Sequence, residues 1–353
     1  MQACVMSRRD FYAFLARILV DLPIMGPVER PDQPGFYQFD FLKRAEDFVT
    51  QYVTTTIPPK KAFFQPSETL FTFTLDHPPK LSLVSDIVHF VLAGAHPCDL
   101  AALASLDAAY AYPPAEARWG ADRKLATIIG MDCMPDEYCF CASLGDINSR
   151  QGCDLFLTPI ERGFLVEVHS ESGRDLLLEA SVSLPTNDDL DAAEDWRERK
   201  RAAMQAKLDE PVERVAQVLE AGGLTEVWRE VAGRCYSCGS CNTTCPTCFC
   251  FDMHDEFDLS LKSGRRKRTW DSCQLLEFAL VAGRHNFRGE RWQRVRHRWC
   301  RKFLYLYKRL GRPYCTGCGR CSRACTADIN LVDVTNQLLA YARGEGIRSE
   351  SRE

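Results

Sequence analysis

Apolar residues at Phe11, Phe14, Leu15, Ile18 and Leu19 recur every three to four positions and predict a helix from Asp10 to Asp21. A Pro- and Gly-rich loop and an extended piece, Gly35 to Phe41, follow it. Two adjacent prolines in Thr56-Ile-Pro-Pro-Lys60 exclude a helix there, because proline lacks the amide proton and fixes φ. Two later segments share one layout. Ser85 to Gly94 is an apolar, β-branched run; it turns through Ala95-His-Pro-Cys-Asp99 into a helical pattern from Leu100 to Ala109. Lys124 to Gly130 is a second such run, leading into Met131-Asp-Cys133 and on to Cys139-Phe-Cys141. Each puts cysteine just beyond the carboxyl end of a predicted strand, the edge at which open α/β sheets bind ligands. Asp154 to Thr158 and Gly163 to His169 predict a strand pair, Ser172 to Ala180 begins a helix, and the charged stretch from Asp188 to Val231 reads as a helical connector.

Composition narrows the class. At 353 residues and 46% hydrophobic, the chain can build two domains with separate cores. No run approaches the roughly 18 to 20 apolar residues of a membrane helix, and Met1 to Asp21 lacks the layout of a signal peptide, so a cytoplasmic protein is expected. In a reducing compartment its 18 cysteines point to metal or redox work rather than disulfides. The net charge is -4, but Lys262 to Arg312 carries 16 Lys or Arg against three acids, Asp271, Glu277 and Glu290. That stretch reads as a docking face, as a solvated basic surface or, third, as a nucleic-acid contact.

The chemistry lies in two cysteine runs. Cys235-Tyr-Ser-Cys238-Gly-Ser-Cys241-Asn-Thr-Thr-Cys245-Pro246 has the spacing of the bacterial ferredoxin run, in which three cysteines wrap one [4Fe-4S] cluster and the fourth serves the other. Cys315, Cys318, Cys321 and Cys325 repeat the spacing, with Thr326 where proline is usual. Cys325 is therefore expected to complete the cluster of Cys235, Cys238 and Cys241, and Cys245 that of Cys315, Cys318 and Cys321. Zinc modules use two separated pairs of ligands instead. About 70 residues separate the quartets, and the insert looks helical over Gln274 to Ala282 and Trp299 to Arg309, which favours an α-helical dicluster domain over a compact ferredoxin.

Cys98, Cys133, Cys139 and Cys141, at the two strand ends, predict a third [4Fe-4S] site, with Asp99 or Asp132 as a possible substitute for one thiolate. The bland alternatives are buried cysteine acting as a small hydrophobe, or a redox thiol pair at Cys139 and Cys141. Cys248, Cys250 and Cys273 read mainly as packing, with a ligand role beside His254 or Asp271 as the alternative; Cys4, Cys153 and Cys300 are assigned nothing. No Gly-x-Gly-x-x-Gly turn, Walker run or nucleophile-base-acid set appears, so the visible chemistry is non-catalytic electron carriage. The expected fold is an α/β domain over 1–185, a helical connector over 186–225, an α-helical ferredoxin-type domain over 226–340 and a tail over 341–353.

These residues carry a resemblance. The segments from Ile57-Pro-Pro-Lys60 to Glu68, His96-Pro-Cys-Asp-Leu100, Asp132-Cys133 to Cys141, Cys245-Pro-Thr-Cys-Phe-Cys-Phe-Asp252, Trp270-Asp-Ser-Cys273, His285-Asn-Phe-Arg288 and Cys318-Gly-Arg-Cys321 resemble one iron-sulfur family. It contains the beta subunit of cytoplasmic NiFe sulfhydrogenases, which are NAD(P)-linked hydrogenases, and the iron-sulfur electron-transfer subunit of anaerobic sulfite reductase. The N-terminal half is also similar to the α/β domain of the coenzyme F420-reducing hydrogenase beta family, although no flavin motif transfers. The resemblance implies an electron relay between a reductase subunit that binds NAD(P) and FAD and a catalytic partner. That partner would be the hydrogenase small and large subunits or a siroheme sulfite reductase subunit. A redox-sensing DNA-binding protein is the reading from a different class, and no helix-turn-helix or comparable reader supports it.

Overall fold

The computed structural model describes residues 3–84 and 87–345; Ser85 and Asp86, which open the first predicted apolar run, and most of the predicted tail lie outside the described residues. A seven-stranded mixed sheet forms the N-terminal α/β region. Its strands are β1 (Ala3–Met6), β2 (Ile24–Arg30), β3 (Gln33–Phe41), β6 (Phe90–Ala95), β7 (Ala126–Met131), β8 (Leu155–Ile160) and β9 (Gly163–Val168), in the order β1-β9-β8-β7-β6-β2-β3. The central strands β2, β6, β7 and β8 run parallel, and the two ends are antiparallel. β6 and β8 are buried along their whole length, as expected of strands covered on both faces.

The helix Arg8–Asp21 lays Phe11, Phe14, Leu15 and Ile18 on the sheet, with Ser7 as its N-cap. The predicted connector is three helices, Asn187–Ala202, Val212–Ala221 and Thr225–Arg234. The last two join Arg291–Cys300, the π-helical turn Arg301–Tyr305 and Leu331–Ala342 in a second core built around Trp228, Trp299 and Phe303. Among the described residues no helix is long and apolar enough to cross a membrane.

The C-terminal region is less purely helical than its sequence suggests. Phe251–Phe257 (β10) and Ser263–Trp270 (β11) form a hairpin that pairs through β11 with β4 (Ser67–Thr74), itself paired with β5 (Lys80–Leu83). A four-stranded sheet thus stitches residues 67–83 to residues 251–270, across the expected boundary near Thr225. Gln274 to Ala282, predicted helical, makes only the short turn Glu277–Ala279. Side chains take over the local hydrogen bonding there: Gln274 donates to the Arg294 carbonyl at 2.9 Å and Asn286 to the Leu276 carbonyl at 2.6 Å.

The basic stretch is not one surface. Arg265 and Arg266 pair with Glu256 and Asp255 across the hairpin, while Arg268, Arg294, Arg298 and Lys302 are buried. Arg268 sits between two carboxylates, Glu68 at 2.8 Å and Glu116 at 3.0 Å, and Glu68 also pairs with Arg118. Removing one partner of a buried pair strands the other charge. Glu68→Ala is expected to lower stability by about 2–4 kcal/mol in anaerobic urea titration, with Glu68→Gln recovering part of that loss.

Candidate metal centres

Parallel pairing of β6 with β7 brings Ala95 opposite Gly130, so the two chains leave the sheet at one edge. Cys98 starts the helix Pro97–Ala111, Cys133 follows β7, and the loop after it folds back to deliver Cys139 and Cys141. All four thiols line one cavity of about 370 Å³, with Lys200 in its wall. The two carboxylates considered as stand-in ligands are each paired with a cation. Asp99 forms a buried pair with Arg320 at 2.6 Å, and Asp132 with Lys200 at 2.5 Å. Burial pushes the Cys133 thiol up to about 12, Cys141 up to about 11 and Cys98 well above the ordinary thiol range. Thiols held this way ionise when a bound cation takes the proton's place.

The C-terminal quartets take the crossed arrangement. Cys235, Cys238, Cys241 and Cys325 line one cavity of about 550 Å³, and Cys245, Cys315, Cys318 and Cys321 line another of about 310 Å³. Gly239 and Gly319, at φ +83° and +68°, turn the chain into the single helical turns Ser240–Thr243 and Arg320–Arg323 that carry the third cysteine of each run. Backbone N–H groups point at sulfur: Ser237 donates to Cys235 Sγ and Ile329 to Cys325 Sγ, both at 3.4 Å.

Cys321 also borders the first cavity and Cys318 also borders the Cys98 cavity, so the three lie in a row with shared walls. Among the described residues no group of three or more His, Cys, Asp or Glu side chains is arranged to hold a single metal ion; the thiols ring open volumes. Four or five thiols to a cavity, amide donors on sulfur and cations in the walls fit an iron-sulfur cluster.

The cysteine loops touch through backbone. Gly317 lies so close to the Cys98 site that a Cβ there would stand 2.5 Å from the Cys141 backbone, and one on Gly319 would stand 2.6 Å from the Tyr138 carbonyl oxygen. The Phe140 N–H donates to the Gly317 carbonyl at 2.8 Å.

The structure brings the twelve predicted ligand cysteines together as three groups; the sequence favours cations near such clusters but does not say which ones. Arg298 lines both C-terminal cavities, and Lys302 lines the second and donates to Thr247 Oγ1 at 2.6 Å. Lys60, from the Pro-Pro-Lys segment, is buried against Trp270 and donates to the Cys248 carbonyl at 2.5 Å. The signal was present as Arg294, Arg298 and Lys302, four residues apart and hence on one helical face. His254 and Asp271, considered with Cys248, Cys250 and Cys273, do not line the cavity those cysteines share; His297 does.

Residues 234–329 match the family model described as a 4Fe-4S dicluster domain. The chain is 34% identical over 318 residues to sulfhydrogenase 2 subunit beta of Pyrococcus furiosus, an alignment covering 89% of this chain and 92% of that protein. No solved structure matches it.

The glycine contact makes a testable demand. Gly317→Ala is expected to cost about 2–4 kcal/mol, from the backbone collision added to the positive φ. Gly311→Ala, at φ +70° with open space around it, should cost only about 1 kcal/mol. Thermal unfolding of the two variants under anaerobic conditions measures the difference.

Proposed function

We propose, from the premise that this chain belongs to the iron-sulfur family of sulfhydrogenase beta subunits, that it is a non-catalytic electron-transfer subunit of a NiFe hydrogenase complex. It relays electrons between a reductase subunit that binds NAD(P) and FAD and the small and large hydrogenase subunits. The observation that carries this reading is the row of three thiol-lined cavities with shared walls. Cys235, Cys238, Cys241 and Cys325 hold one [4Fe-4S] cluster; Cys245, Cys315, Cys318 and Cys321 hold a second; Cys98, Cys133, Cys139 and Cys141 hold a third. A [4Fe-4S] cluster, when bound, takes up and releases single electrons at a potential set by its surroundings.

The remaining work belongs to the protein. The thiolates bring negative charge into a buried region, and Lys200, Arg298, Lys302 and Arg320 stand in or beside the cavity walls to offset it. Phe140 and Trp299, both buried, close cavity walls with apolar surface. The Arg320–Asp99 pair and the glycine contacts hold the third group of thiols in register with the second.

Anaerobic purification of the tagged chain with its native partners tests the assignment. Co-purifying nickel with hydrogen-dependent NAD(P) reduction is the expected result, and siroheme absorbance with sulfite-dependent oxidation would replace it by a sulfite reductase component. In the same complex, Cys238→Ala is expected to remove one cluster's electron paramagnetic resonance signal and to abolish hydrogen-dependent NAD(P) reduction, leaving hydrogenase activity with an artificial dye intact.

A further inference from the structure

A fourth cavity lies outside the row. It opens about 320 Å³ between the loop after Cys245, the Trp270-Asp-Ser-Cys273 turn and the helical face from His297 to Lys302, and three thiols border it: Cys248, Cys250 and Cys273. Three chain segments converge here. Cys248 and Cys250 sit just before β10, Cys273 just after β11, so closing the hairpin brings them together. Cys273 is buried and accepts hydrogen bonds from Asn242 Nδ2 at 3.0 Å and Gln274 Nε2 at 3.7 Å. Donors aimed at sulfur stabilise a ligating thiolate.

The charge of the walls points the same way. Arg298, Arg301 and Lys302 line the cavity, no Asp or Glu does, and Lys60 lies behind Cys248. Arg298 is 5% exposed, Lys302 3% and Lys60 2%. Lys302 and Lys60 donate to neutral oxygens, Thr247 Oγ1 and the Cys248 carbonyl, and Arg298 Nε has no hydrogen-bond acceptor among the described residues. Burying an unpaired cation is strongly unfavourable unless negative charge sits beside it. Arg298 and Lys302 also face the second quartet, whereas Arg301 lines the fourth cavity and none of the row. Three neutral thiols would leave the buried Arg298, Lys302 and Lys60 without a nearby negative charge on this side; three thiolates around an anionic cluster would supply it.

We propose that Cys248, Cys250 and Cys273 hold a further [4Fe-4S] cluster, with the imidazole of His297 as its fourth donor. The proposal is independent of which subunits flank the chain. It places a cluster beside the second quartet, because Arg298 and Lys302 belong to both walls.

The test uses the full chain, reconstituted anaerobically with ferrous iron and sulfide. Cys273→Ala and Cys250→Ser are each expected to lower iron and acid-labile sulfide by about four per chain and to remove one set of resonance signals after dithionite reduction. Cys139→Ala, at a different site, should lower iron by a similar amount and remove a different set. Each result is a difference from the unmodified chain, so it does not depend on how many clusters the other sites hold. If Cys273→Ala fails to fold, Cys250→Ser, at a half-buried position, carries the same expectation. His297→Cys should keep the iron and shift the g values of that one signal set; unchanged g values would remove the imidazole from the site. Unchanged iron in both cysteine variants overturns the proposal, as does loss of one zinc per chain with iron unchanged.

Discussion

The arrangement depends on the contact between two cysteine loops that are distant in sequence. Gly317 and Gly319 let the loop of the second quartet lie on the backbone of residues 138–141, a distance at which no side chain fits. Glycine serves there for two reasons at once, the positive φ that turns the loop and the missing Cβ that permits the approach. The Arg320–Asp99 pair, buried on both sides and joined by Arg320 Nε donating to the Thr55 carbonyl at 3.0 Å, locks the same junction. Short separation between sulfur sites is what a relay needs, and here backbone contact sets it.

Charge is the second constraint. Thiolates crowded into a low-dielectric interior repel one another, and the protein answers with cations that are themselves buried. Lys200 comes from the connector, Lys60 from the Pro-Pro segment, and Arg298 and Lys302 from one helical face of the C-terminal core. Arg298 touches three cavities. The basic stretch that looked like a docking surface therefore turns a substantial part of its charge inward.

The interlocking of the two regions explains why a division into successive domains describes this chain incompletely. β11 pairs with β4 over seven residues, and Arg268 from β11 reaches Glu68 and Glu116. A hairpin of charged residues completes its hydrogen bonds on an N-terminal edge and carries Cys250 and Cys273 into place as it does so.

Much of the site was legible in the sequence because cysteine spacing is local. Three thiols with two residues between neighbours can wrap one volume and a fourth after three more residues starts a helix pointing away, so the expected crossing of Cys245 and Cys325 could be read from the ferredoxin spacing. The strand-end position of Cys98 and Cys133 was legible too, since apolar β-branched runs followed by turns mark the edge of an α/β sheet. What the sequence could not determine was non-local pairing. The strand character of Arg265 to Trp270 came from β4, some 200 residues earlier, and overrode a pattern that spoke only of charge. The gathering of Cys248, Cys250 and Cys273 with His297, and the inward turn of Arg298 and Lys302, were decided when that hairpin closed against the helices. Burial and electrostatic compensation depend on which surfaces meet in space, and no single segment of the chain carries that information.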